Sequence, residues 1–169
     1  LTAKARGDRE RRDPARLMDL WALCGAETPQ ARQAVNDTLD RLRHGDATFI
    51  TPRAEKLEDD TDIDITHESL IRLWGKLRDE WLPAEHKSAK TFLELAERAR
   101  SWKQDPKREL LRGLDLSEAL RWDSERNQTA AWARHYADDE TLAEVQEYLA
   151  ASRDAEEARE GANRRRVKL

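Results

Sequence analysis

The sequence contains little cysteine and glycine, and it lacks a long hydrophobic run. Its one cysteine excludes an intrachain disulfide. Its six glycines stand singly, so the chain has no phosphate-binding loop of the G-x-x-x-x-G-K-S/T or G-x-G-x-x-G type. No apolar run approaches the roughly 18 residues that cross a bilayer, and no hydrophobic signal segment follows the arginine-rich start. We therefore expect a soluble, cytoplasmic protein with no membrane partner and no complete nucleotide site.

Residues typical of catalysis and of metal binding are also scarce. The chain has four dispersed histidines: His44, His67, His86 and His135. None belongs to an H-E-x-x-H or Cys/His ligand pattern, so we predict no metal site. Cys24 has apolar neighbours and no adjacent base to lower its pKa, which predicts a buried structural thiol. We predict no catalytic residue, and we expect that the chain is not an enzyme by itself.

Charged residues are abundant and of mixed sign. They make up 39% of the chain against 38% hydrophobic residues, which predicts a thin core and strongly two-faced helices. The net charge of −4 argues against nucleic-acid binding, which depends on neutralising phosphates. Two local biases are a basic stretch and an acidic stretch: Arg6, Arg9, Arg11 and Arg12, then Glu55, Glu58, Asp59, Asp60, Asp62 and Asp64. Solvated surface is the preferred interpretation of both.

Capping signals and β-branched residues predict the first half of the fold. Asp13-Pro14 and Thr28-Pro29 each predict the start of a helix. We expect the first helix to stop at Gly25 and the second near His44-Gly45. Residues 47–51 and 62–66 predict a two-stranded hairpin, whose acidic tip over 52–61 is too polar to pack.

Helical periodicity predicts the rest of the chain. Thr66 is expected to cap a helix that Pro83 ends and whose apolar stripe is buried: Leu70, Trp74, Leu77 and Trp81. Asp105-Pro106 predicts the start of a later helix, and Asp138 or Asp139 that of the last. The order helix, helix, hairpin, helix is that of a winged helix. We therefore predict a mainly α protein, with a winged helix over residues 1–82 and a helical bundle over 83–169.

Two functions other than a regulatory role stay open on composition and fold alone. A winged helix can bind DNA, and the expected recognition helix over residues 28–44 carries Arg32, Arg41 and Arg43, but also Asp37 and Asp40. These carboxylates and the acidic hairpin disfavour a DNA-binding regulator. The other alternative is a scaffold that docks a partner protein through exposed tryptophans, for which Trp102 and Trp132 are the candidates.

Residues 63–74 read IDITHESLIRLW. They closely resemble the IDISHESLIRxW signature that follows the nucleotide-binding core of bacterial STAND-class signal-transduction ATPases, which carry WD-type or other repeats at the C-terminal end. Other stretches of the chain support the resemblance: Leu1-Thr2, Arg11-Arg12, Pro14, Leu17, 49–52, Trp122, 125–127, 129–133 and 148–153. The resemblance spans nearly the whole chain.

The resemblance implies a place in a longer protein, in which an effector domain and an ATPase core precede this segment and a sensor array follows it. The chain begins with Leu1 and not with Met, which we also expect of a segment. Its implied role is a non-catalytic relay between nucleotide state, sensor and effector. The implied partners are the neighbouring ATPase core, the sensor repeats and other protomers on activation, with ADP or ATP and Mg²⁺ bound only by the full-length protein.

His67 is the candidate cofactor-binding residue that the resemblance implies. In related apoptosome and plant immune-receptor ATPases, the histidine of an MHD motif in the winged helix contacts the β-phosphate of ADP. Thr66-His67-Glu68 lies at the matching point but has Thr for Met and Glu for Asp. The residues independently allow an anion there, because the start of a helix has free backbone N–H groups. The alternative is that His67 packs or caps at the junction of hairpin and helix.

Overall fold

The computed structural model describes residues 2–4, 10–44, 48–53, 56–107, 109–125 and 128–167. The described residues are mainly helical, as predicted, with a small three-stranded antiparallel sheet. The chain divides into two compact units, Leu1–Glu85 and His86–Leu169. Several residues of the predictions above lie outside the described part: Leu1, Arg6, Arg9, Gly45, Ala47, Glu55, Arg126 and Asn127.

The described strands all belong to the first unit: β1 (Thr2–Lys4), β2 (Glu10–Arg12), β3 (Ala15–Arg16), β4 (Ile50–Thr51) and β5 (Asp62–Ile65). Its helices are α1 (Leu17–Leu23), α2 (Pro29–Arg43), α3 (Ser69–Leu73) and a π-helical segment (Leu77–Trp81). Helix α4 (Leu82–Gln104) begins in the first unit and continues into the second. The second unit also contains α5 (Gly113–Glu125), α6 (Ala130–Ala133) and α7 (Thr141–Val167).

Strand β5 is the centre of the three-stranded sheet, whose order is β3-β5-β4. Both neighbours are antiparallel to it, with Ala15 opposite Ile63 and Ile50 opposite Ile65. Side chains alternate between the faces of a strand, and Ile63 and Ile65 are accordingly buried while Asp62 is exposed. The predicted hairpin is therefore confirmed. Strand β3 was not predicted, because a strand of two residues leaves no alternating pattern to detect.

The core of the first unit joins the sheet to α1 and α2. Its buried members are Leu17, Leu39, Ile50 and Ile63. Leu57, from the acidic tip of the hairpin, packs against them. The prediction that this tip is too polar to pack was wrong, because one leucine among the charged residues is enough to attach it.

Helix α1 starts later than predicted. Asp13-Pro14 does not cap it, since residues 15–16 form β3 and the helix begins at Leu17. The backbone N–H groups of Leu17 and Met18 donate to Thr61 O and Asp59 O, both at 2.9 Å. These carbonyls satisfy donors that a side-chain cap would otherwise serve.

The cap predicted for α2 is confirmed. The Thr28 hydroxyl accepts a hydrogen bond from Ala31 N at 3.2 Å, and Pro29 is the first helical residue. Gly25, two residues beyond α1, has φ 64°, the left-handed conformation expected of a glycine that follows a helix. Sequence signals thus located the end of α1 and both ends of α2.

The predicted helix after the hairpin is interrupted in a different place. Helix α3 ends at Leu73 because Trp74 is extended, with ψ 96°. The π-helical segment then leads directly into α4, so Pro83 does not end a helix. The expected buried stripe is also wrong: Trp81 is 47% exposed, and Ile71 is the buried residue of α3.

The core of the second unit is built from α4 to α7. Its buried residues include Phe92, Leu95, Ala99, Leu116, Val145 and Leu149. Asp105-Pro106 does not start a helix, because α5 begins only at Gly113, which has φ 51°. Helix α7 begins at Thr141, just after the predicted start at Asp138 or Asp139.

A buried hydroxyl on α7 holds the non-helical segment that precedes α5. Ser152 is fully buried, and its Oγ accepts from Leu111 N at 3.2 Å and donates to Tyr148 O at 2.8 Å. The Tyr148 hydroxyl donates to Glu109 O at 3.3 Å. These bonds hold Leu111 against the core without a helix around it.

We predict that Ser152→Ala lowers the free energy of unfolding by about 1–3 kcal/mol, because it leaves the buried Leu111 N–H without an acceptor. Ser117→Ala is the matched control, since the exposed Ser117 hydroxyl donates only to Leu114 O of its own helix. The measurement is urea unfolding of both variants followed by circular dichroism. Equal midpoints for the two variants would contradict the assigned role of Ser152.

Candidate functional site

The segment between β5 and α3 is held to the hairpin by Thr66. Its backbone N–H donates to Phe49 O at 2.9 Å, and its hydroxyl donates to Thr48 O at 3.1 Å. Thr66 therefore extends the pairing of the hairpin. The prediction that Thr66 caps α3 was wrong. This anchoring fixes where the next residue, His67, leaves the sheet.

His67 is exposed, and its ring caps the start of α3. The Ser69 backbone N–H donates to His67 Nδ1 at 3.1 Å, and Ser69 Oγ lies 2.7 Å from the same nitrogen. Of the two alternatives for His67, phosphate contact or a role in the junction, the structure thus shows capping. His67 is nevertheless an exposed residue, so capping does not remove it from the candidate site.

The backbone N–H groups expected to be free at this helix start are paired. Ser69 N–H bonds the His67 ring, Leu70 N–H donates to His67 O at 2.9 Å, and Ile71 N–H donates to Glu68 O at 3.2 Å. Helix α3 is also only five residues long. The expectation of an anion site formed by free N–H groups was therefore wrong. What remains for a phosphate is the outer nitrogen of the imidazole, Nε2.

The apolar residues of the 63–74 stretch form the support for this junction. Ile63, Ile65 and Ile71 are buried. The Trp74 ring stacks on Phe49 from the hairpin, with centroids 5.2 Å apart, and Trp81 meets Trp74 edge-on at 5.1 Å. Such ring pairs contribute about 0.5–1.5 kcal/mol beyond the burial of their area. The signature thus combines buried isoleucines and a packed tryptophan with an exposed histidine.

The basic and acidic stretches meet beside the hairpin. Arg12 NH1 lies 3.0 Å from Asp64 Oδ2 and donates to Ile65 O at 3.3 Å. The pair joins the end of β2 to β5 at Asp64, three residues before the candidate histidine. Both stretches were expected to be solvated surface, and this contact was not predicted because a separation of 52 residues leaves no local signal.

Helix α2, the expected recognition helix, uses two of its three candidate arginines within the molecule. Arg43 is 2% exposed and pairs with Asp40 at 2.6 Å. The Arg32 guanidinium lies 5.1 Å from the centre of the Trp21 ring, and its Nε donates to a backbone carbonyl. These contacts weaken the case for DNA binding, because backbone contacts in DNA complexes depend on available cationic side chains.

The tryptophans that the scaffold hypothesis singled out are packed. Trp132 lies 5.3 Å from Phe92, and Trp102 lies 5.9 Å from Tyr148, measured between ring centroids. Both are partly buried against the core of the second unit. Neither of the two candidate tryptophans is therefore fully exposed, which weakens the scaffold alternative at these positions.

No group of His, Cys, Asp and Glu side chains within the described ranges could hold a metal ion. Among the described helices, none has the combination of length and apolar character that crossing a membrane requires.

The family model described as Novel STAND NTPase 1 matches residues 1–109, which is more than half of the chain. The chain belongs to the Novel STAND NTPase 1 family. The match includes the whole three-stranded sheet, His67 and α3. The STAND-class resemblance of residues 63–74 is therefore confirmed at the level of the family. No curated protein and no solved structure matches this STAND NTPase chain.

The sequence identified His67 as a candidate, but the contact between its ring and Ser69 was not predicted. A side chain that accepts from the backbone N–H two residues later is a known local motif at helix starts for Asp, Asn, Ser and Thr. Histidine is not among the usual residues, so the spacing alone did not indicate the contact. The Ser two residues after the His is the signal that could have found it.

The prediction that Cys24 is a buried structural thiol was wrong. Cys24 directly follows the last residue of α1 and is exposed. Desolvation around the sulfur nevertheless raises the pKa of the thiol. Cys24 is therefore an accessible but weakly acidic thiol.

We predict that Cys24 reacts slowly with iodoacetamide at neutral pH, because a raised pKa lowers the thiolate fraction there. The rate should rise with pH beyond the range in which an ordinary thiol has already ionised. The comparison is the same chain unfolded in guanidinium chloride, with alkylation followed by mass spectrometry. A native rate at neutral pH above that of the unfolded chain would contradict this assignment.

Proposed function

We propose that this chain is a non-catalytic regulatory segment of a bacterial, cytoplasmic STAND-type signalling ATPase. Residues 1–82 act as a winged helix, and residues 83–169 act as a helical bundle that leads toward a C-terminal sensor or repeat region. The segment relays nucleotide state between the ATPase core, the sensor and the effector. The observation that carries this proposal is the exposed His67 ring at the end of β5, within the region matched by the STAND family.

The order of elements supports the winged-helix assignment. Two helices, α1 and α2, precede the β4–β5 hairpin, and α3 follows it. The short strand β3 before α1 pairs with the second strand of the hairpin. The hairpin is then the wing, and α1 and α2 are the helices that pack on it through Leu17 and Leu39.

The proposed role of His67 is to contact a phosphate of ADP bound by the neighbouring ATPase core. A hydrogen bond to a charged group contributes about 1.5–3 kcal/mol, enough to bias a two-state equilibrium. The phosphate-binding loop and Mg²⁺ belong to that core and not to this segment. Exchange of ADP for ATP, with movement of the winged helix, would break the histidine contact and release the inactive state.

We predict that the isolated chain neither hydrolyses ATP nor binds ADP tightly, because a single histidine cannot replace a phosphate-binding loop. The measurements are phosphate release and isothermal titration calorimetry with ADP and Mg²⁺. Micromolar binding by the isolated chain would contradict the proposal, since the nucleotide site would then lie within these residues.

In the polypeptide that also contains the ATPase core, His67→Ala is expected to speed ADP release by about tenfold to a hundredfold, the equivalent of one hydrogen bond to a charged group. Release is measured by stopped-flow with a fluorescent ADP analogue. His135→Ala is the matched control, because His135 is exposed and lies outside the family-matched residues. Identical release from both variants would remove His67 from the site.

A further inference from the structure

The contacts of His67 decide which of its ring nitrogens carries the proton. The Ser69 amide always has a hydrogen, and this hydrogen is directed at Nδ1 across 3.1 Å. A proton on Nδ1 would place two hydrogens against each other, so Nδ1 must present its lone pair. The Ser69 hydroxyl, 2.7 Å from Nδ1, then serves as a second donor to the same lone pair.

We infer that Ser69 is a positioning residue that holds His67 as the neutral Nε2–H tautomer, with Nε2–H as the donor to the nucleotide phosphate. The phosphate part of this inference rests on the proposed function, whereas the tautomer follows from the two contacts. Within the described part of the chain, the ring makes no hydrogen bond through Nε2. The donor is therefore available to a ligand that approaches from solvent.

The chemistry of Ser69 suits this role. A hydroxyl can donate to Nδ1 without adding charge, so it fixes both the tautomer and the rotation of the ring. A carboxylate at the same position would accept a hydrogen bond from Nδ1–H, favour the other tautomer or the imidazolium, and repel a phosphate. An alanine would keep the backbone donor and lose the hydroxyl. These two substitutions therefore separate the contributions of the hydroxyl and of charge.

The tautomer is tested on the chain itself by long-range ¹H–¹⁵N correlation at a pH above the ordinary pKa of histidine. Signals of His67 are assigned by their loss in His67→Ala. We expect the Nε2–H pattern in the unmodified chain, a partial shift toward a mixture in Ser69→Ala, and a larger shift in Ser69→Asp. The exposed Ser117→Ala serves as the control and should leave the pattern unchanged. An Nδ1–H pattern in the unmodified chain overturns the inference.

The positioning role is tested by ADP release from the polypeptide that contains the ATPase core. Ser69→Ala should speed release by about twofold to tenfold, as expected for one neutral hydrogen bond, and by less than His67→Ala. The double variant should release ADP no faster than His67→Ala alone, because Ser69 acts through His67. Effects that multiply in the double variant overturn the positioning role.

The tautomer measurement and the ADP-release measurement distinguish a failure of the proposed function from a failure of the inference about Ser69. If neither His67→Ala nor Ser69→Ala changes ADP release while the Nε2–H pattern is found, the proposed phosphate contact is wrong and the tautomer assignment stands. If His67→Ala speeds release and Ser69→Ala does not, the proposed function stands and the positioning role of Ser69 is overturned.

Discussion

The pairing of β5 with strands on both sides is the constraint on which the candidate site depends. Ile63 and Ile65 of this strand are buried, while Asp64 between them and Thr66 after them make polar contacts to neighbouring strands and the hairpin. A shift of pairing by one residue would move both isoleucines to the opposite face, so the burial of these two side chains fixes the register. The register in turn fixes the position and direction from which the chain continues beyond β5 into Thr66 and His67.

Much of this local structure was predictable because its signals are local. The Thr28-Pro29 cap, Gly25 and the alternation over 62–65 each depend on residues within a few positions of one another. The errors arose where a distant partner replaced a local signal. Helix α1 needs no Asp13 cap, because carbonyls at Asp59 and Thr61 satisfy its first N–H groups.

The same distinction explains the second unit. Asp105-Pro106 has the form of a helix start, but α5 begins only at Gly113. Asp105 Oδ1 does accept a hydrogen bond from Lys107 N at 3.1 Å, but no helix follows this local contact. Farther along the segment, Leu111 N–H donates to the Ser152 hydroxyl on α7, 41 residues away in the sequence. A local capping contact therefore does not by itself start a helix where a distant side chain holds the backbone that follows.

At the candidate site, the His67 ring makes its local capping contact through Nδ1, whereas the proposed phosphate contact uses Nε2. Free backbone N–H groups at the helix start were expected to bind an anion. The backbone N–H groups of Ser69, Leu70 and Ile71 all have intramolecular acceptors instead. A five-residue helix whose first donors are paired adds little electrostatic attraction. In the proposed phosphate contact, recognition at this junction depends on one ring N–H, whose direction is set by the capping contact with Ser69. A contact of that kind is lost by a small movement of the ligand, because hydrogen bonds weaken steeply with distance and angle. A contact with this sensitivity is better suited to distinguishing two positions of a domain than to providing binding affinity.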